Sequence, residues 1–234
     1  MICRHGATLL IKKLRLNLPW PIGSLAILIV TLIWPCSGQN IVKGHIEIVA
    51  AKNPRRTVSR YLPKSARITK TNPSKTAVVW LQPKNATTPH SGDRQQKEIK
   101  QRHLQFSPNV MALQIGETVS FPNQDDEYHN VLSYSLAKEF DLGRYLKSET
   151  PPKIQFDQAG VIEINCEIHE HMRGYIVVVD TPYYLTTSDG QFQFENVPAG
   201  QYTLHAWTGP RRQLQESITV QKGKPTIIDL GKRP

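Results

Sequence analysis

Cysteine is almost missing from this chain. Of three in 234 residues, Cys3 and Cys36 fall within the first forty positions, and Cys166 alone follows. One thiol cannot close an internal disulfide, which excludes a disulfide-stapled scaffold. In an exported protein such a thiol is open to oxidation unless something occupies it. Also missing are an H-E-x-x-H zinc motif, a phosphate-cradling glycine loop and a G-x-S-x-G elbow, so hydrolase and nucleotide-dependent readings have no support. Acid is absent from the first forty residues, and no second long apolar run follows the first.

That N-terminal stretch carries Arg4, Lys12, Lys13 and Arg15, then the apolar run from Leu25 to Trp34, then Pro35-Cys36-Ser37-Gly38. A basic region, a short apolar core and small residues after it read as a cleaved secretory signal over residues 1–38. The core is shorter than the roughly 20 residues of a membrane span. An uncleaved anchor is the alternative, and Trp34-Pro35 argues against lipidation at Cys36. The expected location is the periplasm or the exterior, with a soluble mature chain. The precursor's +10 drops to +6 without the signal, and the charge is uneven: +11 over residues 39–103, −7 over 104–180 and +2 over 181–234. The basic arm can meet an anionic membrane surface peripherally, or simply be solvated. No nucleic-acid module is visible, and nucleic acid is not an expected partner.

The rest reads as strands and turns. Gly44 to Val49 alternates, and Ala77-Val78-Val79-Trp80-Leu81 is a short buried-strand run. Lys52 to Lys75 and Gln82 to Arg102 are polar and basic, and read as loops. Val110 to Ile115 and Thr118 to Phe121 read as two strands joined at the Gly116-Glu117 turn. Residues 133–153 read as a connection with a short helical turn near Ala137-Lys138-Glu139. Val161 to Asn165 delivers Cys166, and Tyr175 to Val179 leads away. Gln191 to Phe194, Gln201 to Trp207, Ser217 to Val220 and Thr226 to Leu230 follow. Many short strands with turn signals between them predict an all-β fold of sandwich type.

The chemistry concentrates in Cys166-Glu167-Ile168-His169-Glu170-His171-Met172, with His129 upstream. Thiolate, imidazole and thioether are soft and borderline ligands suited to copper, and two histidines, one cysteine and a weak axial methionine form an electron-transfer copper set. A cysteine at a strand end, a histidine three residues on and a methionine three beyond can wrap one ion from a tight loop. The second histidine must then come from a neighbouring strand. His171 is a competing ligand. His205 reads as a strand residue, and His45, His90 and His103 as solvated.

From Phe106-Ser107-Pro108 through Gly116-Glu117-Thr118-Val119, Phe121-Pro122-Asn123 and His129-Asn130-Val131 to Cys166-x-x-His169-x-x-Met172 and Tyr175-Ile176-Val177-Val178, the chain resembles the cupredoxins. The two-residue spacings are similar to amicyanins rather than plastocyanins, and the arrangement resembles the methylamine-utilisation type. The resemblance covers residues 104–180 and implies a Greek-key β-sandwich. It implies one copper ion per chain on His129, Cys166, His169 and Met172, and Asn130 hydrogen-bonded to the Cys166 loop. It departs from the family at Glu167, Glu170, His171 and Arg173, where small electron-transfer members present an apolar patch.

The tail, Ser188-Asp189-Gly190-Gln191-Phe192 with Asn196-Val197-Pro198-Ala199-Gly200-Gln201-Tyr202-Thr203-Leu204, resembles carboxypeptidase regulatory-like (transthyretin-like) modules, which implies a structural sandwich without peptidase chemistry. Gly44-His45-Ile46 and Val78-Val79-Trp80-Leu81 resemble the opening strands of such modules but precede the cupredoxin block. The expected layout is therefore a β segment at 39–103, the cupredoxin domain at 104–180 and a β segment at 181–234. In it, 41–82 and 183–231 form one discontinuous sandwich; the competing layout puts Val78–Leu81 first in the cupredoxin domain. The ligand set favours an electron carrier, expected to serve a c-type cytochrome or a dehydrogenase, and no substrate pocket is implied, so an enzyme is not expected. A copper-binding accessory protein of storage, delivery or envelope assembly is the alternative.

Overall fold

This computed structural model describes residues 40–48, 75–85, 96–210 and 212–231, and through them run seventeen strands and no helix. The expected signal and nearly all of the basic stretch from Lys52 to Lys75 lie outside the described residues. β1 (Val42–His45) and β2 (Ala77–Pro83) come first. Then follow β3 (Gln96–Glu98), β4 (Lys100–Gln101), β5 (Phe106–Ser107), β6 (Val110–Gln114), β7 (Thr118–Ser120), β8 (His129–Ser135) and β9 (Lys138–Tyr145). β10 (Lys153–Gln155), β11 (Gly160–Asn165) and β12 (Arg173–Val179) complete this block. β13 (Tyr184–Thr187), β14 (Gln191–Phe194), β15 (Gly200–Gly209), β16 (Arg212–Val220) and β17 (Thr226–Asp229) close the chain.

The first two strands and the last five pair with one another across the intervening block. One sheet has the order β14-β1-β17 and the facing one β13-β2-β15-β16. Between them Val42, Ile46, Val79 and Leu81 share a core with Phe192, Phe194, Leu204 and Ile228. Gly44 lies opposite both Phe192 and Ile228, where an added Cβ would strike the Ile228 carbonyl oxygen. Only a residue without a side chain lets the three strands close here.

The strands from β3 to β12 build a second sandwich, with β6-β12-β11-β8-β9 as one sheet facing β10-β7-β3 and the small ribbon β4-β5. Its core holds Phe121, Phe156, Leu113, Ile162, Ile164 and Ile176, and at one end Cys166 and Met172. A third apolar layer joins the two sandwiches. Val78, Trp80 and Trp207 pack there against Val110, Ala112, Val177 and Val179. Lys97 spans the same junction, its Nζ donating to the Ala112 carbonyl, Glu117 Oε2 and the Tyr184 hydroxyl, each at 3.1 Å. β2 and β12 are thus covered on both faces, which accounts for their unbroken apolar runs.

Two expectations from the sequence are corrected. Residues 133–153 are not a loop with a helical turn; β8 and β9 form a hairpin from Ser135↔Lys138 to His129↔Tyr145. β9 is an edge strand with mostly polar exposed positions, so its apolar alternation is weak. Gln82 to Arg102 is not loop throughout, since β3 pairs with β7 and β4 with β5. Val110–Gln114 and Thr118–Ser120 are strands joined at the Gly116-Glu117 turn, as expected, but they lie in different sheets. The turn exists, with Glu117 N–H donating to the Gln114 carbonyl at 3.1 Å, but it carries the chain between sheets. β6 pairs with β12, and β7 with β10 and β3.

Candidate metal centre

β8 and β11 are neighbours with Asn165 opposite Leu132, so the first residue of β8, His129, and the residue after β11, Cys166, meet at one end of the sandwich. His129 is fully buried and Cys166 nearly so. The loop beyond Cys166 closes on itself: Met172 N–H donates to the His169 carbonyl at 2.8 Å, and Cys166 N–H to the Met172 carbonyl at 3.2 Å. That closure swings His169 back over the strand ends. Asn130 Oδ1 accepts the Glu167 N–H at 2.8 Å, pinning the loop to β8, the role implied for Asn130 by resemblance.

Three donor atoms converge. His129 Nδ1 and His169 Nδ1 are 3.1 Å apart, and Cys166 Sγ lies 3.9 and 3.8 Å from them. The point equidistant from these three atoms is about 2.1 Å from each, within the range of roughly 2.0–2.3 Å for first-row metal bonds to imidazole and thiolate. The outer nitrogens are engaged too: His129 Nε2 is 3.0 Å from Asp125 Oδ2 and His169 Nε2 is 3.2 Å from Glu127 Oε2. A neutral imidazole donating its Nε2–H outward presents a bare lone pair at Nδ1. In that tautomer two lone pairs and a sulfur face one point at these distances, a donor set that a soft or borderline metal ion fits.

Electrostatics point the same way. Burial pushes the Cys166 thiol up, but hydrogen bonds from His129, from the backbone N–H of Asn130 and His169, and from the His169 ring pull it down to about 6. Burial likewise opposes charge on His129, yet Cys166 and Asp125 hold it above the usual imidazole value. Asp125 stays below the ordinary carboxylate range despite burial, because Leu104 N–H, His129 and His103 N–H all bond it. Without metal, this hydrogen bonding favours the thiolate form of Cys166 and the protonated form of His129.

Of the four residues expected as ligands, His129, Cys166 and His169 form this cluster, with donor atoms all within 4.8 Å of one another. Met172 is 1% exposed and packs in the same core as Cys166. His171 stands apart, its ring centroid 6.1 Å from that of His169. Burial and the neighbouring His169 lower its pKa. His205 is a strand residue stacked on Trp80 with centroids 4.8 Å apart. The sequence reading missed Asp125 and Glu127. The signal was present, since two carboxylates at four and two residues before His129 fall on one tight loop, but an acidic run also reads as plain solvated surface.

Residues 73–178 match the sequence model of the family described as Cupredoxin-like domain. That match covers less than half of the chain and falls within an all-β fold. The matched span begins ahead of β2, which pairs with β13 and β15 in the other sandwich. Among solved structures, an amicyanin variant with Cu(I) is 20% identical over 36% of this chain and 82% of its own, with a TM-score of 0.34. A second amicyanin variant in the reduced state is 21% identical over 43% of this chain and 99% of its own, with a TM-score of 0.33. A copper-containing nitrite reductase from Thermus scotoductus SA-01 is 21% identical over 41% of this chain but only 25% of its own, with a TM-score of 0.36. No curated protein matches the chain.

Proposed function

We propose that this chain is an exported type 1 copper protein that carries electrons and is not itself an enzyme. One copper ion per chain would be held by His129, Cys166 and His169, with Met172 as the weak axial ligand. The observation that carries this reading is the convergence of two Nδ1 atoms and one Sγ within 3.1–3.9 Å, with both outer nitrogens already bonded. When bound, the ion supplies a one-electron couple and an intense thiolate-to-copper absorption. The protein supplies rigidity. His129 and Cys166 are set by paired strands, and Asn130 and the Met172 turn lock the loop that carries His169, so the donors stay in place when the charge between them changes.

Adding Cu(II) to the purified mature protein is expected to produce the intense visible charge-transfer band, and Cys166→Ala to abolish it. Retention of that band by the alanine variant would overturn the assignment. The redox partner is expected to be a c-type cytochrome or a quinoprotein dehydrogenase, met in the periplasm, with the basic arm lending peripheral contact to an anionic membrane. Stopped-flow mixing with such a partner should reduce the copper reversibly without releasing it.

A copper-handling accessory role is the competing reading. It draws on the second sandwich, read as transthyretin-like, fused through seven apolar residues to the face opposite the copper-block core. In that case reduction should release the metal.

A further inference from the structure

Two carboxylates stand behind the candidate ligands, on a loop built to hold them still. Asn123 Nδ2 donates to the Glu127 carbonyl at 2.8 Å and to the Tyr145 carbonyl at 3.0 Å, while its Oδ1 accepts Asp125 N–H at 2.9 Å. Gln124 N–H donates to the Gln101 carbonyl at 2.8 Å. Asp125 in turn accepts the backbone N–H groups of His103 and Leu104 at 2.7 and 3.0 Å. Those two residues have φ of 54° and 56°, the left-handed region that non-glycine residues enter only when their surroundings hold them there. The carboxylate of Asp125 is thus fixed on one side by strained backbone and on the other by His129 Nε2.

Resting on the copper reading above, we propose that Asp125 and Glu127 are positioning residues that set the redox potential of the centre and its preference for a dipositive ion. Each keeps an imidazole turned with Nε2–H outward and Nδ1 bare toward Cys166. Together they place two negative charges one ring's width from the donors, raising ligand basicity. In the couple concerned, one electron enters from an outer-sphere reductant, the charge among the donors falls from +2 to +1, and no proton moves. Nearby negative charge favours the +2 side. The two are unequal: the Asp125 and His129 side chains are 15% and 0% exposed, those of Glu127 and His169 63% and 17%. Solvent and salt screen the second pair more, so Asp125 dominates.

The test compares Asp125→Asn, Glu127→Gln and the control Glu170→Gln, an exposed carboxylate on the 166–172 loop outside the imidazole pairs, in the full mature protein. Two quantities are measured: midpoint potential by equilibrium titration with outer-sphere mediators, and affinity for redox-silent Zn(II). Asp125→Asn is expected to weaken Zn(II) binding by about 10–100-fold. It should also raise the potential, by about 59 mV for each tenfold selective loss of Cu(II) over Cu(I) affinity. Glu127→Gln should shift both in the same direction, less strongly, with the difference shrinking in high salt. The control should match wild type.

Wild-type potential and Zn(II) affinity in Glu127→Gln at low salt, or an equal shift in Glu170→Gln, would overturn the proposal. Because Asp125 also anchors the 103–104 turn, exposed Glu127 is the deciding position if Asp125→Asn misfolds. A wild type that never develops the charge-transfer band would defeat the copper reading instead, and the Zn(II) series would still judge the two carboxylates.

Discussion

Cys166 is the residue on which most of the chemistry turns. A buried thiol ordinarily stays protonated, yet here four hydrogen bonds outweigh burial and bring its pKa to about 6, against about 8.5 for a free cysteine. Metal-free protein at neutral pH is therefore expected to hold a thiolate, and its ultraviolet thiolate absorbance should titrate with a midpoint about 6. A midpoint near the ordinary thiol value would contradict the hydrogen-bond reading. The linkage to stability has a definite sign. A lowered acid stabilises fully above its unfolded value, near 8.5, and loses that contribution as pH falls through about 6. His129 is raised, so its contribution is full below an unfolded value near 6.5 and is lost as pH rises through the folded value. Protons on His129 and Cys166 also compete with metal, so metal affinity should fall with acidification.

Among the elements, β1 is the one most sensitive to a single atom. It is held on one side by antiparallel β14 and on the other by parallel β17, and at Gly44 both neighbours close in. Gly44→Ala would drive a methyl group into the Ile228 carbonyl and the Phe192 ring. Backbone cannot yield as a flexible side chain does, so the cost is expected to be at or above the roughly 1–3 kcal/mol of core overpacking. Urea denaturation followed by circular dichroism measures it. A loss under about 0.5 kcal/mol, the range of neutral surface changes, would mean β1 does not sit between its neighbours as described. The charge-transfer band of the native variant should be unaffected, because Gly44 belongs to a different core from Cys166.

For the whole described molecule, the question is whether the two sandwiches are mechanically one. The layer of Val78, Trp80, Val110, Ala112, Val177, Val179 and Trp207 is apolar and closed, and Lys97 ties Glu117 to Tyr184 beside it. Trp80 and Trp207 are the two tryptophans beyond residue 39, so the fluorescence of a chain starting there reports on this junction. Fluorescence and the charge-transfer band are expected to disappear together in one denaturant transition. Trp207→Ala should cost about 3–5 kcal/mol, the range for a buried aromatic, and separate the loss of the band from the unfolding of the outer sandwich. Separate transitions already in the wild type would show the junction to be weak.

The clustering of Cys166 and His169 was legible because one tight loop supplies both, and local geometry is a property of local sequence. The buried strands Ala77–Leu81 and Tyr175–Val179 were legible for a similar reason, since burial on two faces writes an unbroken apolar run. Pairing was not. Whether Val110–Gln114 joins Thr118–Ser120 or crosses to β12 depends on contacts distant in sequence, and a turn of the same residues serves either. β9 escaped notice because an edge strand keeps polar residues on its open side. Asp125 and Glu127 belong to the same category: an acidic run looks alike whether solvated or aimed at imidazoles. Only the fold, by placing β8 against β11 and bending loop 166–172 over them, brings Glu127 within 3.2 Å of a histidine 42 residues later.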